Sequence, residues 1–102
     1  MAYYISSFIS PFGMILINIL DGGEEPALKL TTEVLTGHVA VYHGDQIWRV
    51  EANPDWSLGE TAQALSDLAF EAEIPEELRT LGIAALQNCV SDLYRRQPFV
   101  TA

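Results

Sequence analysis

The sequence predicts an α+β domain, an antiparallel sheet of four to five strands followed by two C-terminal helices packed on it. Three observations carry that expectation. The runs His38-Val39-Ala40-Val41-Tyr42-His43 and Gln46-Ile47-Trp48-Arg49-Val50-Glu51 flank a Gly44-Asp45 pair, the spacing of a tight β-hairpin. Ser57-Leu58-Gly59-Glu60 has the form of a capping box and opens a stretch with apolar residues at helical spacing. Strand-like segments precede helix-like ones without alternating with them, which favours α+β over a parallel α/β arrangement. At 102 residues the chain reads as one domain spanning 1–102.

Residues 3–9 and 14–20 are rich in aromatic and β-branched side chains, and Ser10-Pro11-Phe12-Gly13 between them supplies Pro and Gly for a turn. The first 20 residues hold no charged side chain. They lack the basic start of a secretory signal, and Pro11, Gly13 and several polar residues interrupt any apolar span, so a hairpin is expected there and no membrane helix. Gly22-Gly23 breaks regular structure in the following loop. Residues 27–35 alternate through Leu28, Leu30 and Thr32 and read as a strand, with a short helical turn before Gly37 as the competing reading. In the Gly44-Asp45 hairpin, counting from the turn puts Val41 opposite Trp48 and Val39 opposite Val50 on a core face. The other face pairs Tyr42 with Ile47, Ala40 with Arg49 and His38 with Glu51, a mixed surface that is either wet or a docking surface.

In the first helix Leu58, Ala62, Leu65, Leu68, Ala69 and Ala72 share one stripe, and Glu60, Gln63, Asp67 and Glu71 fall on the outer face. Pro75 suits the first turn of a second helix, Glu76 and Glu77 complement its positive end, and Arg95 and Arg96 its negative end. Pro98 stops it soon after. This helix is apolar over a wider arc than a surface helix needs, so it is either central to the fold or shared with a second copy. Ile83, Gln87, Val90 and Tyr94 are the expected oligomer interface.

Composition bounds the function. An apolar fraction of 49% is far above that of disordered chains, and on so small a body it leaves hydrophobic surface for a partner. The single cysteine, Cys89, excludes an internal disulfide; Leu86, Val90 and Leu93 around it predict a buried thiol in a reducing, cytoplasmic compartment. Five basic residues and a net charge of -9 exclude a phosphate-tracking surface, so neither direct nucleic-acid binding nor attraction to anionic membranes is expected.

The charge is not spread evenly. Between Arg49 and Arg79 there is no Lys or Arg, yet Glu51, Asp55, Glu60, Asp67, Glu71, Glu73, Glu76 and Glu77 all lie there. Such a local field selects and steers a partner. Glu60, Asp67, Glu71, Glu73, Glu76 and Glu77 are the candidate partner-binding residues, with Trp56 either packed under the helix start or an aromatic anchor at the rim. A solvated face with helix-capping acids is the competing reading. His38 opposite Glu51 could serve as an acid/base pair, but no nucleophile stands at a recognisable spacing. His38 and His43 face opposite sides of a strand, the Asp21-Gly22-Gly23-Glu24-Glu25 loop lacks the alternating ligands of a calcium site, and no phosphate-binding glycine loop is present. No catalytic residue, metal or cofactor is therefore expected, and an enzyme is not.

The leading expectation is a small acidic inhibitor that blocks or sequesters a basic protein, such as a nucleic-acid-binding one, through its carboxylate-rich helical surface. Immunity partners of nuclease toxins and phage-encoded inhibitors of nucleic-acid machinery, anti-CRISPR proteins among them, fit this physical description by size and charge. The alternative is a homo-oligomeric structural or regulatory subunit, a homodimer in its simplest form, assembling through the apolar second helix.

Overall fold

The computed structural model describes residues 2–10 and 14–96. Five strands, β1 (Tyr4–Ile9), β2 (Ile15–Leu20), β3 (Leu28–Glu33), β4 (His38–His43) and β5 (Gln46–Glu51), are followed by α1 (Leu58–Glu71) and α2 (Glu76–Arg96). The strands form one antiparallel sheet in chain order, β1-β2-β3-β4-β5, so β1 and β5 are its edges. This is the expected α+β arrangement.

The alternation of side chains sorts the sheet into two faces. On the covered face Ile15, Ile17, Ile19, Leu28, Leu30, Val39 and Val41 are at most 1% exposed and meet Leu65, Leu68, Ala69, Leu78 and Leu86 from the helices. Helix α1 lies over β4 and β5, and α2 lies over β1, β2 and β3. Among the described residues no helix covers the other face, which presents Tyr4 and Phe8 at one edge and Lys29, Glu33, Tyr42 and Arg49 towards the other.

Each local signal has a structural counterpart. The β4–β5 register is the one counted from the Gly44 turn, from His43 opposite Gln46 to His38 opposite Glu51, and Gly44 has φ +60°. Segment 27–35 divides: β3 ends at Glu33, and the next residues make a turn in which Thr36 and Gly37 donate backbone N–H to the Glu33 carbonyl. Gly37, at φ +72°, supplies the left-handed step that returns the chain into β4. Ser57 caps α1: its Oγ accepts from Glu60 N at 3.2 Å while Glu60 Oε1 accepts from Ser57 N at 3.2 Å. Pro75 precedes α2 instead of standing in its first turn, and its carbonyl accepts from Arg79 N. The turn read at 10–13 lies outside the described residues beyond Ser10, whose N–H donates to the Met14 carbonyl.

Two burial expectations need correction. Val50 points to the covered face but stays 37% exposed, because the helices reach β5 only at its margin. Cys89 is half-buried and not enclosed, because it stands on the flank of α2 that overhangs β1. The close seat of α2 depends on Gly82, which is buried against Leu28 and Leu30. Among the described residues, no helix is long and apolar enough to cross a membrane.

Candidate partner-binding surface

The acidic residues divide by their place along α1. Its 14 residues extend about 21 Å at 1.5 Å per residue. Glu60 is at the first turn, where its carboxylate is occupied by the cap. Trp56 is beside it in the preceding loop, half-buried in a recess of about 190 Å³ with His38, Pro54, Leu58 and Thr61. Glu71, Glu73, Glu76 and Glu77 gather at the opposite end, where α1 turns into α2, and all four are exposed. Asp67 lies between, exposed, and accepts a 2.9 Å hydrogen bond from Gln63 Nε2 one turn earlier. The candidate set is therefore one dense cluster at the α1–α2 junction, with Asp67 one helical turn before it, plus two outliers, Glu60 and Trp56, at the far end.

The junction is built by alternating burial. Ala72 and Ile74 enter the core while Glu73 and Pro75 stay outside. Arg79, the cation that ends the acidic stretch, makes no ion pair with these carboxylates among the described residues. Its Nη2 donates to the Ile74 carbonyl at 3.0 Å, and its guanidinium carbon lies 5.7 Å from the centroid of the Phe70 ring. Glu71, Glu73, Glu76 and Glu77 have no ion-pair or hydrogen-bonding side-chain partner among the described residues. Their charges face solvent uncompensated.

Sequence reasoning missed Phe70. It is 63% exposed, three residues from Asp67 and beside Glu71, on the acidic face of α1. The signal was present, since Phe70 falls outside the apolar stripe through Leu65, Leu68, Ala69 and Ala72. Ile47, 44% exposed at the start of β5, joins Trp48, Glu71 and Glu73 in a shallow recess of about 480 Å³. Carboxylates and large apolar groups thus share one end of the molecule.

The expected oligomer stripe on α2 is placed differently. Ile83 and Val90 are half-buried against the core, Gln87 is exposed, and the Tyr94 side chain lies outside the described residues. Ile83 is one turn from Arg79 and Val90 two turns further, so this flank is the one that looks towards α1. The flank carrying Leu81, Ala84, Asn88 and Cys89 instead lines an open groove of about 490 Å³ beside Ile5 and Ile9 of β1.

On the open sheet face, three strands bring together a cluster that spacing along the chain did not reveal. Glu33 Oε1 accepts from Arg49 Nε at 2.7 Å, and Oε2 accepts from the Tyr42 hydroxyl at 2.7 Å. Arg49 Nη2 also donates to the Tyr42 oxygen at 3.0 Å, and Lys29 Nζ lies 5.2 Å from the Tyr42 ring centroid. The Arg49 hydrogen bond, followed by that of Tyr42, holds the Glu33 carboxyl below its usual range. His38 lies across from Glu33 on one side and Glu51 on the other, half-buried, and its Nδ1 makes no hydrogen bond. Glu33 is committed to Arg49 and Tyr42 and makes no hydrogen bond to His38. Among the described residues no group of three or more His, Cys, Asp or Glu converges as a metal site would require. Comparison with protein-family models, with curated proteins and with solved structures yields no match.

Proposed function

We propose that the protein is an inhibitor that blocks or sequesters a basic protein through the end of the molecule formed by the α1–α2 junction. The reading rests on one observation. Asp67, Glu71, Glu73, Glu76 and Glu77 are all exposed there, the nearest cation is committed to a backbone carbonyl and an aromatic ring, and Phe70 and Ile47 stand exposed among them. Uncompensated carboxylates of one sign steer a cationic partner, and the adjacent aromatic group supplies affinity once water is excluded. Phe70 takes the anchoring part that the sequence assigned to Trp56. Nucleic-acid-binding proteins carry Lys- and Arg-rich surfaces of the kind that would fit, because they must neutralise phosphate.

The test is capture of partners from nuclease-treated lysate, followed by affinity measurement on the purified pair. Wild type is compared with Glu71, Glu73, Glu76 and Glu77 all changed to Gln, and separately with Phe70→Ala. A basic protein held by wild type, lost by the Gln variant, weakened by Phe70→Ala and released as salt rises is the expected result. Screening shortens from about 10 Å at 0.1 M to about 3 Å at 1 M, so release should be steep over that range. Identical partners and affinities for wild type and the Gln variant would reduce the junction to a solvated face.

A further inference from the structure

We infer that β1 is a self-association edge: two copies join antiparallel through β1, centred on Ser6, to make one continuous ten-stranded sheet. The inference is independent of the acidic surface and starts from the backbone. Ser10 N–H donates to the Met14 carbonyl, and the β1–β2 register runs without a break from Ile9 opposite Ile15 to Tyr4 opposite Leu20. Alternation along an antiparallel ladder then turns the N–H and C=O of Tyr4, Ser6 and Phe8 towards β2. The same groups of Ile5, Ser7 and Ile9 point out of the sheet, with no partner among the described residues. Water can satisfy these groups singly, and an extended strand satisfies the whole row at once.

The two edges of the sheet differ in how they are guarded. Edge β5 carries Arg49 and Glu51, and Glu71 and Glu73 stand in the recess beside its first residues. Two copies meeting there would bring carboxylates of the same sign together. Strand β1 has no charge, proline or bulge, and neither β1 nor β2 contains a charged side chain. In a chain of net charge -9, β1 itself brings no charge to a second copy, and Asp92 of α2 is the carboxylate that lines the groove beside it. The apolar surface is concentrated here too, with Tyr4 66%, Ile5 49% and Phe8 54% exposed.

Symmetry narrows the register, and the aromatic side chains select among what it allows. Across a two-fold axis normal to the sheet, residues opposite one another point to the same face. The axis must therefore pass through a residue and not between two. Centred on Ser6, the outward-facing groups of Ile5 meet those of Ser7 in the other copy, and Tyr4 lies opposite Phe8 twice on the open face. Aromatic cross-strand pairs of this kind are favourable. At about 60% exposure of side chains that present roughly 150–250 Å² each, these four rings expose about 350–600 Å² in all, an upper bound on what pairing removes from water because the open face leaves their outer sides wet. That is up to half of the ~1,200 Å² at the lower limit of stable interfaces. The remainder falls to the strand backbones, Ile5 and the groove beside α2, which the second copy's edge would close.

The register makes a sharp test. Ser6 would face Ser6 of the other copy as a non-hydrogen-bonded pair, with Cα atoms about 4.5 Å apart and within the ~4.4–6.8 Å a disulfide spans. Ser6→Cys is made with Cys89→Ser, so that the introduced thiol is alone, and oxidised by glutathione disulfide. Leu35→Cys in the same background, at a fully exposed turn position, reports random collision. Light scattering should give wild type about twice 11.3 kDa, and Ser6→Cys should crosslink at least ~10-fold faster than Leu35→Cys because its partner thiol is held in place. Ser7→Pro removes an outward N–H and leaves the β1–β2 bonds intact, so it should give a folded monomer by circular dichroism and light scattering. A wild-type monomer at every concentration, equal crosslinking of the two thiols, or a Ser7→Pro dimer would each overturn the inference.

Discussion

Gly82→Ala sets two effects of known size against each other. Alanine in a helix interior is favoured over glycine by about 0.8–1 kcal/mol, so on propensity alone the change stabilises α2. The structure opposes it. A Cβ on Gly82 would stand 2.8 Å from Leu28 Cδ2 and 3.4 Å from Leu30 Cδ1. Leu28 is 1% exposed and Leu30 is fully buried, so neither can swing away without disturbing the packed face of the sheet. Overpacking of this kind costs about 1–3 kcal/mol, which leaves a net loss of about 0–2 kcal/mol. Leu28→Val deletes the contacting methyl in a strand that tolerates β-branching, at a cost of about 1 kcal/mol. In that background Gly82→Ala should recover its propensity and stabilise by about 1 kcal/mol. The expected coupling is therefore about 1–3 kcal/mol, read from urea unfolding of the four proteins at one fixed concentration. A Gly82→Ala effect of the same sign and size in both backgrounds would refute the claim that Leu28 sets the approach of α2.

Other perturbations probe separate parts of the molecule. Ser57→Ala removes one half of the capping box and should cost about 1 kcal/mol, a fall of roughly 4–8 °C in Tm by thermal denaturation. An unchanged Tm would show that α1 is held by packing alone. Glu33 has a folded pKa below its unfolded value because Arg49 and Tyr42 donate to it. Its contribution to stability is present above the unfolded value of 4.5 and lost as pH falls through the folded pKa. Acid titration of stability should therefore be shallower below that pH in Glu33→Gln than in wild type, and identical slopes would rule the linkage out.

What the sequence determined by itself is what consecutive residues encode. The β4–β5 register follows from a turn of two residues and the period of two along each strand, and both operate within a dozen positions. The Ser57 cap and the α1 stripe are equally local, since the partners of a helix cap are at most a turn away. Even the uneven charge could be counted directly. Tertiary structure decided which of these surfaces remain open and what they meet. Phe70 stays at the surface because the core takes the opposite side of α1, and Glu33, Tyr42 and Arg49 converge only once β3, β4 and β5 lie side by side. Ile83 and Val90 became half-buried against the core only through the docking of α2, whose close approach to Leu28 and Leu30 rests on Gly82. The order of the strands left β1 as the uncharged edge. These outcomes depend on contacts between residues far apart in the chain, where a short window of sequence holds the identity of one partner but not of the other.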